Sequence, residues 1–204
     1  PEARAARVIA TFGMQMIFYG NTADLPRGVH NLIHSELEHL YVDCDFIEEL
    51  WRGRVRSAGL QPVHGQVRLL TVEKDATKIR LCRDATFSGR KGASINENMP
   101  QSAKTVSFAR FTDLVRQARA AGPDGWMFCA DGDAWFRQFA VTPFAEDILY
   151  YQHKGRGYHD LREPFGPANA PRDAQIMSST TAAIAPRWFL PSRPDLHDAI
   201  GSYV

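Results

Sequence analysis

The chain has 204 residues, 44% of them hydrophobic, which suffices for one or two packed cores and excludes a disordered class. Its net charge of +1 is uneven: −5 over residues 1–50, +7 over 51–91, −2 over 92–150 and +1 over 151–204. A basic block in a neutral chain is what a phosphate-rich partner selects, although a solvated surface gives the same composition. Cys44, Cys82 and Cys129 are scattered without C-x-x-C spacing. That argues against a disulfide framework or structural zinc and points to a reducing, intracellular compartment, cytoplasm or nucleus.

Along the chain, the longest apolar stretch, "VIATFGMQMIFYG", is broken by Gly13 and Gln15 and is too short to span a bilayer. No membrane partner is expected. The chain starts at Pro1 rather than Met, and a soluble piece of a longer protein is expected. Apolar residues then recur from Val29 to Trp51 after the breakers Pro26 and Gly28. This predicts an amphipathic helix from Val29, with a break near Asp43-Cys44-Asp45. His30, His34 and Glu38 would share one face at metal-ligand spacing, but that face lies opposite the apolar stripe and reads as solvated.

"QVRLLTVEKDATKIRLCRDATF" (66–87) alternates as a β-hairpin with a polar tip, and it carries the centre of the basic block. "SGRKGASINENMP" is loop, and "SFARFTDLVRQARAAG" is a helix stopped by Gly122-Pro123. "GWMFCADGDAWFRQFAV" reads as a strand entering a turn or short helix. A second hairpin follows Pro143, with Lys154-Gly155-Arg156-Gly157 at its tip. "PFGPANAPRDAQIMSSTTAAIA" becomes helical from about Pro171, and "DLHDAIGSYV" opens a further helix or strand.

Four stretches, in this order and spacing, resemble the reverse transcriptase domain of retroelements. The nearest pattern is that of DIRS-type, tyrosine-recombinase-carrying elements, with Ty3-like and retroviral enzymes behind it. "EKDATKIRLCRDATFSG" is similar to the family's basic fingers hairpin. The resemblance puts Arg80 on the nucleotide triphosphate, with Lys74 and Lys78 as further cations. A planar, permanently charged guanidinium suits that task. "GASINENMP" resembles the family loop before the catalytic strand, where Asn96 reads as a loop hydrogen-bonder.

In "DGDAWFRQFAVTP", the family pattern is an aspartate five residues before an aromatic, then "R-Q-x-x-V-x-P". The match makes Asp131 the catalytic metal ligand and Phe136 the aromatic beneath the nucleotide sugar, with Ala134 and Trp135 beside it. Such a ring excludes a 2′-hydroxyl, so deoxynucleotides are expected. The residue before the aromatic is small in the family and is Trp135 here. A register slid by one would instead put Ala130 at the catalytic position and make Trp135 the gate; the "RQFAVTP" run favours Asp131. Asp133 is then a neighbour and not a ligand.

"REPFGPANAPRDAQIM" resembles the family's "L-P-F-G-L-x-N-A-P-x-x-F-Q", which places Phe165 and Gly166 against the nucleotide and templating base. Pro167 replaces a leucine and Ala174 a phenylalanine of that pattern.

The resemblance therefore implies an α/β (α+β) right-hand polymerase fold of fingers and palm, the palm sheet backed by helices. Residues 1–65 would be an N-terminal extension with fingers-entry helices, and 66–204 the fingers and palm. The implied activity is RNA-directed DNA polymerisation, with a dNTP and an RNA/DNA template-primer as partners. Mg²⁺ (or Mn²⁺) would serve as cofactor, two ions about 4 Å apart transferring the nucleotide to a primer 3′-hydroxyl. Asp131 alone cannot hold two such ions. Tyr203-Val204 match the first half of the family's "Y-x-D-D" turn, so the isolated chain is expected not to polymerise. Two other readings stay open: a degenerate or domesticated relative that only binds nucleic acid through the basic block, and an unrelated Mg²⁺-dependent phosphohydrolase using the Asp-Gly-Asp pair.

Overall fold

The computed structural model describes residues 2–60, 62, 64–75, 78–89, 92–107, 110–123, 132–189 and 192. In chain order, its helices are α1 (Glu2–Phe12), α2 (Glu36–Trp51), α3 (Gln101–Lys104), α4 (Phe111–Ala121), α5 (Pro143–Ile148) and α6 (Ala170–Phe189). The strands are β1 (Val55–Ala58), β2 (Arg68–Asp75), β3 (Lys78–Asp84), β4 (Tyr151–His153) and β5 (Arg156–Asp160), and a 3₁₀ turn spans Trp135–Gln138. The fold is α+β, as the sequence implies. No helix among the described residues is long and apolar enough to cross a membrane.

Two small antiparallel sheets organise the chain: β2 pairs with β3, and β5 lies between β1 and β4. In the second hairpin, Lys154 and Gly155 both take positive φ, 47° and 70°. That handedness lets a two-residue turn match the twist of its strands. Asn31 ties the sheets together, donating to Gln152 O (2.7 Å) while its own carbonyl accepts from Leu69 N (3.0 Å). Met14 N donates to Ala140 O (2.7 Å), and Glu163 N to Phe139 O (2.9 Å), so residues 139–141 are held between the N-terminal segment and the end of β5. Met14, Val42, Leu69, Ile148, Leu149 and Tyr151 are among the most buried side chains of the core.

Helix α2 begins at Glu36, seven residues later than the apolar pattern predicts, and runs unbroken through Asp43–Asp45. Its start is set by a capping box. Ser35 Oγ accepts from Glu38 N (3.1 Å), and the Glu38 carboxylate accepts from Ser35 N and His34 N (2.8 Å each). These bonds satisfy amides that the first helical turn leaves orphaned. His30 and His34 therefore precede the helix and share no helical face with Glu38. The expected hairpin after Pro143 starts late for a similar reason. Thr142 caps α5, with proline at the helix's first position, and residues 143–148 are helical before β4 begins. Residues 124–131, where a strand is expected, lie outside the described residues, as does the segment 193–204.

Candidate functional site

A cleft of about 550 Å³ opens between the β2–β3 hairpin, helix α2, the 3₁₀ turn and Phe165. Its hairpin wall carries Lys74, Lys78 and Arg80. Alternation along β3 sends Lys78 and Arg80 to the same face, and neither Lys74 nor Lys78 is covered by neighbours. Its floor is aromatic. Phe136 and Phe165 meet edge to face with centroids 5.0 Å apart, and the Arg80 guanidinium lies 4.8 Å from the Phe165 ring. Both contacts are favourable in themselves and hold the arginine over the ring. Helix α2 supplies the third wall through Tyr41, Asp45 and Glu49, four residues apart and so on one helical face.

Of the residues given a nucleotide by the sequence resemblance, Arg80, Lys74, Lys78, Ala134, Trp135, Phe136 and Phe165 all line this one cleft. Asp131, assigned as catalytic residue and metal ligand, lies outside the described residues. Gly166 is not in the lining. It takes φ +132°, and a Cβ there would fall 1.7 Å from the Arg83 carbonyl oxygen. Only glycine permits that approach, and it lets Phe165 O accept from Arg83 N (2.8 Å), which docks the Phe165 loop on β3. Asn96 fixes the other side of this loop, donating to Gly166 O (3.0 Å) and accepting from Ala168 N (2.9 Å). It is a loop hydrogen-bonder, as its sequence context suggests.

Trp135 and Phe136 are adjacent but placed differently. Trp135 packs edge-on against Phe139 at 5.0 Å and donates its indole N–H to the carbonyl of the fully buried Ala174 (3.4 Å). The indole thus anchors the 3₁₀ turn to the backbone of α6. Ala134 enters the 3₁₀ turn in the left-handed region (φ 45°, ψ 48°), a conformation seldom held without glycine or asparagine. It sets the direction of the two aromatic side chains that follow.

At the base of the cleft, with Glu49, Arg83 and Arg137 in its lining, lies a buried layer of charge that sequence reasoning missed. Asp160, fully buried, accepts from Arg83 Nε (2.8 Å) and Nη2 (3.2 Å) and pairs with Arg137 Nη1 (2.7 Å). Arg137 also donates Nε to Glu49 (2.7 Å), which pairs with Arg54 as well (3.2 Å). Burial opposes the charge on Arg83, but Asp160, Tyr151 and Asp45 together outweigh it and raise the guanidinium's pKa further. Burial likewise opposes the Glu49 carboxylate, whose pKa Arg137 nonetheless holds below the usual range. Asp45 has no such direct partner among the described residues, and burial pushes its carboxyl up despite Arg83 nearby. The available signal was an acidic i, i+4 pair, Asp45 and Glu49, on a face that also carries apolar residues.

A donor set for a divalent ion needs several oxygen ligands converging on one point. Among the described residues no three His, Cys, Asp or Glu side chains do so. Asp45, Glu49 and Asp133 therefore do not form a metal site by themselves. What the cleft offers chemically is a cationic wall for phosphates and an aromatic floor for a base or sugar.

Neither a protein-family model nor a curated protein sequence matches the chain. Solved structures do. A foamy viral protease-reverse transcriptase in complex with dsDNA superposes with a TM-score of 0.55 at 15% identity, over 96% of this chain and 33% of that one. The native prototype foamy virus protease-reverse transcriptase gives 0.51 at 15% identity, over 87% and 20%. A further foamy viral protease-reverse transcriptase structure with dsDNA gives 0.50 at 15% identity, over 83% and 25%. The chain spans a third or less of the length of these proteins. At this identity the likeness shows the fold alone, and that fold is reverse-transcriptase-like.

Proposed function

We propose that this chain is the fingers-and-palm part of a retroelement reverse transcriptase, of the DIRS type, and that its cleft receives a dNTP. The carrying observation is the convergence of Lys74, Lys78 and Arg80 on the Phe136–Phe165 pair. In this reading Arg80 grips the triphosphate, the two lysines add diffuse positive charge, and Phe136 underlies the sugar. The bond that ties the Trp135 indole to the Ala174 carbonyl, with the edge-to-face seat of Phe136 on Phe165, supports Phe136 rather than Trp135 as the sugar-facing ring. The same register makes Asp131 the ligand for Mg²⁺ or Mn²⁺. Such an ion would neutralise phosphate charge during nucleotidyl transfer, and the residues described here would bind and orient the nucleotide.

The test is equilibrium binding of a dNTP and the matching rNTP. The wild-type chain is expected to prefer the dNTP, Arg80→Ala to weaken it about tenfold, and Phe136→Ala to bring the two nucleotides to near-equal affinity. Equal binding of both by the wild type, unchanged by either substitution, would overturn the assignment. A second reading is a relative that binds nucleic acid through the basic block without catalysis. Its support is the basic block, +7 over residues 51–91, with Lys74 and Lys78 exposed on the hairpin. Oligonucleotide binding with no nucleotide binding at any Mg²⁺ or Mn²⁺ concentration would select it.

A further inference from the structure

Arg137 also lines a second cavity, of about 380 Å³, whose other walls are Trp51, Arg52, Arg54, Gln138 and Arg162. Four of the six lining residues are arginines and none is a carboxylate. Three of them are ion-paired: Arg52 reaches Glu48 (2.7 Å) in an exposed pair, and Arg54 and Arg137 share the buried Glu49. Arg162 donates to the Gln138 carbonyl (3.2 Å) and has no carboxylate partner among the described residues. At the rim stands Trp51, 86% exposed, at the last position of α2. A tryptophan left almost wholly in water leaves a large apolar face uncovered.

We propose that this cavity is a second nucleic-acid site, which shares only the buried Arg137 with the nucleotide cleft and takes a phosphate of a single strand on Arg52 and Arg162 while a base stacks on Trp51. The two parts answer to the two parts of a nucleotide. Guanidinium forks match phosphate oxygens bidentately and stay charged at any physiological pH, and a flat exposed ring accepts any base without regard to sequence. A duplex keeps its bases paired and stacked on each other, so only an unpaired strand can use both. The local chemistry carries this assignment, with no support taken from the polymerase reading.

The experiment uses the 204-residue chain with a fluorescently labelled thymidine oligonucleotide of roughly ten nucleotides, the matching duplex, and inorganic pyrophosphate as competitor. Binding of the single strand is expected to quench a tryptophan signal that Trp51→Ala removes, and Trp51→Ala is expected to weaken binding about tenfold. Arg52→Gln and Arg162→Gln, both at the cavity mouth, are each expected to lower the slope of log affinity against log salt by about 0.7. Arg80→Ala, in the cleft, should leave the Trp51 quench intact, which separates this site from the dNTP site. Pyrophosphate, which can use only the arginines, is expected to compete at the same affinity in wild type and Trp51→Ala; strand binding with no Trp51-dependent quench, duplex binding with the same Trp51 dependence, or strand binding that pyrophosphate does not displace overturns the proposal. Loss of dNTP binding with the Trp51 quench retained would overturn the polymerase reading and leave this one standing.

Discussion

Arg80 and Arg83 sit three residues apart on the same strand, and they do opposite things. Arg80 faces the cleft over Phe165, with no carboxylate partner among the described residues. Arg83 is 4% exposed and pinned between Asp160 and Tyr151. Odd spacing in a strand turns consecutive arginines to opposite faces, so one basic block divides into a ligand wall and a structural layer. The lesson concerns charge counts. Seven net positive charges over residues 51–91 suggest a phosphate partner, yet Arg83 and Arg54 are committed to buried ion pairs and leave less for any ligand.

The sharpest way to break this contrast is to remove the shared anion. Asp160→Ala leaves Arg83 and Arg137 buried with one fewer compensating charge, and truncating one partner of a buried pair costs about 3–5 kcal/mol. Chemical denaturation should show that loss. A change below ~1 kcal/mol would mean the arginines are reached by water and that the layer is not structural. Next in size is the exchange of bulk at the 3₁₀ turn. Trp135→Ala is expected to cost about 2–3 kcal/mol through lost packing, and Ala174→Phe alone to cost about 1–3 kcal/mol through crowding. The double substitution moves the bulk from the 3₁₀ turn to α6. It should be more stable than the sum of the single losses, and strict additivity in the cycle would show that the two positions are not coupled.

How much of this was legible follows from the same contrast. The β2–β3 hairpin, the second hairpin with its Lys154-Gly155 turn, and helix α6 were visible because period-two alternation, turn glycines and an N1-type proline act locally. The late start of α2 was in principle visible as Ser35-x-x-Glu38, a local signal that the longer apolar repeat obscured. The gathering of cleft residues was legible only through spacing shared with a family, since Lys74, Phe136 and Phe165 are far apart in sequence. The Arg83–Asp160–Arg137–Glu49 layer left one sign, the acidic Asp45 and Glu49 spacing on α2, and the rest of it was not legible. Its members come from β3, β5, the 3₁₀ turn and α2, and a buried arginine has no local sequence mark that separates it from an exposed one. The bond from the Trp135 indole to the Ala174 carbonyl is equally silent in sequence, because it joins the 3₁₀ turn to α6 across 39 residues.

A third group of charges, just past β5, lacks what Asp160 has. Glu163 and Asp173 are buried, and the Glu163 Oε1 and Asn169 Oδ1 atoms have no hydrogen-bond partner among the described residues. Burial pushes the Asp173 carboxyl up to about 6 from 3.8, against the opposing bond from Asn169 (2.9 Å) and the Arg172 guanidinium (3.4 Å). Burial raises Glu163 as well, and Asp173 and Asp160 add to it. The folded chain therefore holds these protons more tightly than the unfolded chain does. Stability from Asp173 is fully present below about pH 4 and is lost as pH rises to about 6. Asp173→Asn should remove that slope, so the stability difference between variant and wild type grows over the same interval, by at most about 3 kcal/mol. A pH-independent difference would show that Asp173 titrates normally in the folded chain.

The smallest expected effect on stability is the most informative about function. Arg80→Ala removes a side chain whose contacts are the face of Phe165 and the cleft, so unfolding should shift by no more than about 0.5 kcal/mol. Nucleotide affinity should nevertheless fall about tenfold, close to 1.4 kcal/mol. Arg80→Lys is expected to recover only part of it, because an ammonium keeps the charge but loses both the fork and the stacking on Phe165. Full recovery by lysine would reduce Arg80 to a point charge and shift weight to Lys74 and Lys78. If instead Arg80→Ala destabilises the chain as much as Asp160→Ala does, the two arginines of β3 belong to one structural layer, and the division between ligand wall and buried support fails.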